Sequence, residues 1–227
     1  MKWFNRLIAT AVILLTVNIF VQPNALTTIG RQVNNAVDIP AMLIGRLKKA
    51  ATITQSPATT QARNETPIES IVNKRKLSNH YRYRFAKNVP AKAKQVFLTA
   101  VAKYNHTGIV KLSPASQKTS AQTNEITFYV YRKRISAQSS AIELGLGGPK
   151  IYPLLGYHAD DLNRGKAGLN IEYPQSSIQL SVAMHEIGHA LGLDHSLDRN
   201  SIMFPVDQGK TKLSAGDLAA LREIYQN

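Results

Sequence analysis

The run His185-Glu186-Ile187-Gly188-His189-Ala190-Leu191-Gly192-Leu193-Asp194-His195 constrains this chain more than any other part of it. Two histidines four residues apart stand one turn above each other on a helix, so their imidazoles can share one ion. Glu186 sits beside the first of them, placed to reach a water on that ion without occupying the ion itself, which suits a general base. Gly192 permits the left-handed backbone that ends a helix, and the turn it makes can carry His195 back as a third ligand. At ordinary residue frequencies the whole pattern arises by chance in roughly one such chain per hundred thousand. A metal site therefore outweighs surface or core histidines as the reading. A zinc site that only holds structure is the rival, but three protein ligands leave open the position that catalysis needs.

The surrounding residues predict a helix near 177–192, with Ser176 and Gln179 as a capping box. Leu180, Met184, Ile187 and Leu191 form its apolar stripe, nearly opposite the histidines. The absence of cysteine excludes disulfides, thiolate ligands and a thiol nucleophile, and leaves a metal to His, Asp or Glu.

Three regions follow from composition. Residues 1–25 read as a signal peptide or signal anchor, because Lys2 and Arg6 precede an uncharged run at 7–21. That run implies export, either secreted or anchored at the extracellular face. Residues 26–77 read as a basic, partly disordered stalk, with a short amphipathic helix or plain stalk at 42–49, a linker at 52–67 and the cluster Lys74-Arg75-Lys76. A folded catalytic domain is expected over 78–227, starting where aromatic residues alternate with arginines from Tyr81 to Phe85.

Within that domain a helix is expected at 91–104 behind Pro90, with Val96, Ala100 and Tyr104 on one face. Strands are expected at 109–112, 125–131, 155–160 and 168–173. A Gly-rich loop is expected at 144–149 and a turn at 163–165, and a last helix near 214–226. The loop lacks the residues of a phosphate-binding or dinucleotide motif.

From His185 to Ser196 the chain resembles the matrixin branch of the metzincins, since the astacin branch places Glu and the adamalysin branch Asp where Ser196 stands. Ser201-Ile202-Met203-Phe204-Pro205 resembles the family's Met-turn, in which Met203 would lie beneath the zinc ligands. The segment from Leu213 to Tyr225 resembles the closing helix, with Ser214 as N-cap and Leu218, Leu221 and Tyr225 in a stripe. The resemblance covers about residues 78–227 and implies an α+β fold: a twisted, mixed five-stranded sheet with three main helices. It implies a zinc-dependent endopeptidase of minimal, single-domain form. One catalytic Zn²⁺ would be held by His185, His189 and His195, with Glu186 as base. An extended peptide would bind beside an edge strand near 155–160.

The sequence departs from the family in several places. A cysteine latch is impossible. Only His158 and Asp160 stand where vertebrate members bind a second zinc, so that ion is not expected. Asp207 stands where many members place a pocket tyrosine, so pocket preferences do not transfer. Structural calcium has no support beyond Asp160, Asp161 and the Gly-rich loop.

The formal net charge of +14 points to an anionic neighbour or to a solvated basic face. Residues 1–77 carry ten bases against three acids, and 78–227 carry eighteen against eleven. The expected partners are a protein or peptide substrate and an anionic cell-envelope polymer or membrane surface, with a monomeric chain. Two other readings are a catalytically inactive zinc-binding surface module and a nucleic-acid-binding protein using Lys74–Lys76 and Arg132–Arg134. The second has no recognised motif, and no nucleic acid is expected.

Overall fold

Alternating side chains set the first strand, β1 (His80–Phe85), with Tyr81 buried on one side and Arg82 exposed on the other. The structure, a computed structural model, describes residues 64–116, 120, 122–136, 141–154 and 160–226. The expected signal, the stalk through residue 63 with its helix at 42–49, and the segment 155–159 with His158 lie outside the described residues.

Helix α1 (Ala91–His106) starts behind Pro90 and buries Ala93, Phe97, Ala100, Val101 and Tyr104. The stripe is centred one position from the expected one: Val96 is only half-buried, and Phe97 stacks on Phe128 with ring centroids 4.5 Å apart. Strands β2 (Lys111–Pro114) and β3 (Asn124–Tyr131) both lie parallel to β1. Strand β6 (Leu162–Asn170) extends the parallel set beyond β3. The antiparallel strand β4 (Gly145–Gly148) closes the far edge, giving the order β2-β1-β3-β6-β4. The two-residue β5 (Ile151–Tyr152) pairs with β6 off this path. The architecture is the expected α+β one, a mixed sheet with three main helices.

Two strands include residues that read otherwise in the sequence. Residues 145–148, read as a loop, form β4, and the turn expected at 163–165 lies inside β6. Asn163 signals a turn by composition, but here it is fully buried and bonded to a helix carbonyl. Its Nδ2 donates to Ala190 O at 2.9 Å and to Tyr81 Oη at 3.0 Å. A polar side chain that satisfies a helix carbonyl is stable in a strand interior.

The helix expected at 177–192 is broken into α2 (Pro174–Ser177) and α3 (Leu180–Leu191). The expected capping box does not form. Gln179 is the N-cap of α3 without a side-chain cap bond, and its Nε2 donates backward to Gln175 O at 2.7 Å. Pro174 starts the preceding turn at the first helical position, which suits its fixed φ. Helix α4 (Ala215–Tyr225) starts at Ser214 as expected, in a full capping box with Asp217.

Helix α4 closes the body through a buried relay: Tyr81 Oη lies 2.8 Å from Tyr225 Oη, which donates to Leu191 O at 2.7 Å. The last carbonyls of α3 are thereby satisfied where no backbone donor reaches them. The packed body also extends upstream of Ser78. Val72 and Leu77 belong to the core, and Ile68 forms an antiparallel bridge with Leu193.

Candidate metal centre

Helix α3 places His185 and His189 one turn apart, with ring centroids 4.7 Å apart and both side chains buried. Each ring has one nitrogen committed to a backbone carbonyl. His185 Nδ1–H donates to Ile202 O at 2.7 Å, and His189 Nδ1–H donates to Leu193 O at 2.9 Å. A carbonyl only accepts, so both protons sit on Nδ1 and both Nε2 atoms present lone pairs. Those two Nε2 atoms face each other at 3.0 Å. Two facing lone pairs repel unless a cation lies between them.

The third histidine arrives by the expected turn. Gly192 caps α3 with φ +106, a backbone state that L side chains rarely adopt. Leu193 N then donates to Gly188 O at 3.0 Å, which folds the chain back on the helix. His195 ends with its ring centroid 5.4 Å from that of His185 and 4.8 Å from that of His189. Its Nε2 is buried and has no hydrogen-bond partner among the described residues. One donor atom from each of the three histidines lies within 4.8 Å of the others. Zinc at its usual bond length holds tetrahedral nitrogens about 3.3 Å apart, so this set fits the ion with modest closure.

Electrostatics agree with the geometry. Burial, and then the neighbouring histidines, pushes His185 well below its usual range and His189 down to about 3. Burial likewise lowers His195. All three imidazoles are neutral at pH 7, the state in which they bind a metal.

Glu186 is fully buried against β4 at Gly145, and among the described residues neither carboxylate oxygen has a hydrogen-bond partner. Burial, and then the charge of Glu143, raises its pKa well above the usual carboxyl value. An unpartnered buried carboxyl is costly in a purely structural role, and such groups concentrate at functional sites.

Met203 lies beneath α3. A Cβ on Gly188 would fall 2.4 Å from Met203 Sδ, so helix and sulfur are in close packing. The same turn supplies Ile202 O to His185, and Met203 O accepts from Ser196 N at 3.0 Å. Asp217 pins this turn to α4: Ser201 Oγ donates to Asp217 Oδ1 at 2.5 Å and Ile202 N to Oδ2 at 3.2 Å. Sequence reading used Ser214 as a cap but missed Asp217, although the Ser-x-x-Asp spacing carries that signal.

A second missed group is Glu69, which no pattern in the linker-like sequence marks. Its carboxylate lies 3.4 Å from His189 Nδ1. Burial, and then Asp194, pushes its pKa up to about 7, with His195 acting the other way.

Other singled-out residues serve elsewhere. Asp160 and Asp161 pair with Lys76 and Arg75, each at 3.3 Å. Arg132 and Arg134 pair with Glu172, and Lys133 with Glu143. These two basic clusters are thus largely neutralised by carboxylates. Asp207 accepts from Ser181 Oγ at 3.1 Å beside a cavity of about 10 Å³ that His185 also lines.

The matrixin family model matches residues 82–226. Matrilysin of Felis catus is 48% identical over 50 residues, 20% of this chain and 19% of that protein. Macrophage metalloelastase of Oryctolagus cuniculus is 50% identical over 48 residues, 19% of this chain and 10% of that protein. Matrix metalloproteinase-C of Caenorhabditis elegans is 36% identical over 80 residues, 30% of this chain and 14% of that protein. The chain thus aligns with less than a fifth of the length of each of these relatives.

Proposed function

Because this chain belongs to the matrixin family, we propose that it is a zinc-dependent endopeptidase with His185, His189 and His195 as ligands and Glu186 as general base. The observation that carries this reading is the convergence of three imidazoles beside a buried carboxylate that has no hydrogen-bond partner among the described residues. A zinc ion held there supplies Lewis acidity, polarising the scissile carbonyl and acidifying water. Glu186 takes the proton from the attacking water and delivers it to the leaving amine nitrogen. Burial raises its pKa above the ordinary carboxyl value, which favours its taking up a proton. The Nδ1–H bonds of His185 and His189 hold both rings in the tautomer that exposes Nε2.

Substrate docking follows from the sheet. Strand β4 flanks Glu186 and ends the strand order, so among the described residues its outer edge is unpaired. An extended peptide adds to such an edge through main-chain bonds with little sequence demand. The edge strand expected near 155–160 lies, but for Asp160, outside the described residues. If the run at 7–21 directs export, the substrates are extracellular or cell-surface proteins; a chain confined to the cytoplasm would contradict that.

The test is cleavage of a denatured protein by the full chain. The expected result is internal cuts that stop with a zinc chelator and return when zinc is restored. Zinc binding without cleavage would instead identify an inactive zinc-binding module.

A further inference from the structure

We infer that Glu69, from the segment that precedes the first strand, is a positioning residue for His189 and strengthens zinc binding by the site. The inference rests on the zinc-site reading above. Its geometry comes from one short antiparallel contact. Ile68 bridges Leu193, Glu69 N donates to Gly192 O at 2.8 Å, and Asp194 N donates to Pro67 O at 2.8 Å. The same contact that fixes Glu69 therefore also fixes Leu193, whose carbonyl accepts the His189 Nδ1 proton. The Glu69 carboxylate lies 3.4 Å from His189 Nδ1, whose proton goes to the Leu193 carbonyl at 2.9 Å.

The Glu69 side chain is 7% exposed and its carboxylate lies beside the neutral His189 ring. A nearly buried carboxylate beside the Nδ1 of that ring is placed for the ring rather than for solvent. His185 differs: among the described residues no ion-pair contact places a carboxylate beside its Nδ1, whose proton goes to Ile202 O. A carboxylate on the N–H side of an imidazole keeps the proton on Nδ1, raises the electron density at Nε2 and offsets the positive charge the ring acquires on binding a metal.

The strap also reaches the third ligand. Ser196 Oγ donates to Glu65 O at 2.8 Å, one residue after His195. Thr66 Oγ1 donates to Asp217 Oδ1 at 2.6 Å, tying the segment to the helix that pins the Met203 turn. Residues 65–69 thus bind the backbone around two of the three ligands, and Glu69 is the member whose side chain reaches a ligand ring.

The experiment uses the full chain with Glu69→Gln, which keeps the shape and removes the charge, and Glu69→Asp, which keeps the charge. Zinc affinity is read by competition with a chromogenic chelator, beside the melting temperature of the metal-free protein and the KM for a peptide. The expected result is a roughly tenfold to hundredfold loss of zinc affinity in Glu69→Gln. Glu69→Asp should recover part of it, with the metal-free melting temperature and KM unchanged. Wild-type affinity in Glu69→Gln would overturn the inference. So would an affinity loss that only follows a loss of metal-free stability. Failure of the wild-type chain to bind zinc would instead overturn the zinc-site reading itself.

Discussion

At the scale of single residues, the metal centre depends on contacts that leave no room for an added methyl group. A Cβ on Gly188 would lie 2.4 Å from Met203 Sδ and 3.0 Å from Tyr104 Oη, and Tyr104 Oη itself donates to Met184 O. Gly188→Ala is expected to destabilise the chain by about 1–3 kcal/mol, the usual cost of overpacking, as measured by urea unfolding. An unchanged midpoint would show that the Met203 turn is not packed as described. The three histidines, Glu186, Gly192 and Met203 were legible in the sequence because one spacing and one turn specify them. Asp217 was half-legible as a cap. Glu69 was not legible, because its role depends on a bridge between residues 125 positions apart, Ile68 and Leu193, that no local pattern encodes.

At the scale of elements, the helices were easier to read than the strands around the site. The periodicity of α1, α3 and α4 follows from apolar spacing, and only the break between α2 and α3 escaped it. Strands β4 and β6 were misread because glycine and asparagine imply turns by composition. Here Asn163 bonds Ala190 O from within a strand, and Gly145 lies directly against the Glu186 carboxylate. Close packing of sheet on helix, rather than chain reversal, selects those residues. The free edge of β4 gives a direct expectation for substrates. Methylating one backbone nitrogen that bonds this edge should raise KM about fivefold to tenfold, about the worth of one hydrogen bond. Peptides whose KM ignores methylation at every position near the cut would exclude edge-strand docking.

At the scale of the whole molecule, charge and chemistry separate along the chain. Residues 70–124 contain eleven Lys and Arg and no acid, whereas residues 125–227 contain ten against eleven acids. The half that holds the metal centre is therefore close to neutral, and most of the excess charge falls in residues 70–124, which include β1, α1 and β2. The two basic clusters noted in the sequence are mostly paired, which removes the main support for a nucleic-acid-binding reading. The account as a whole depends on Glu186 acting on water at a site whose ligands are the three histidines. The most direct test is the cleavage rate of Glu186→Gln loaded with one equivalent of zinc, compared with the wild-type chain. The account predicts that the variant retains the zinc and loses at least about a hundredfold in rate, the contribution of a general base. A zinc-loaded variant that cleaves at the wild-type rate would contradict it.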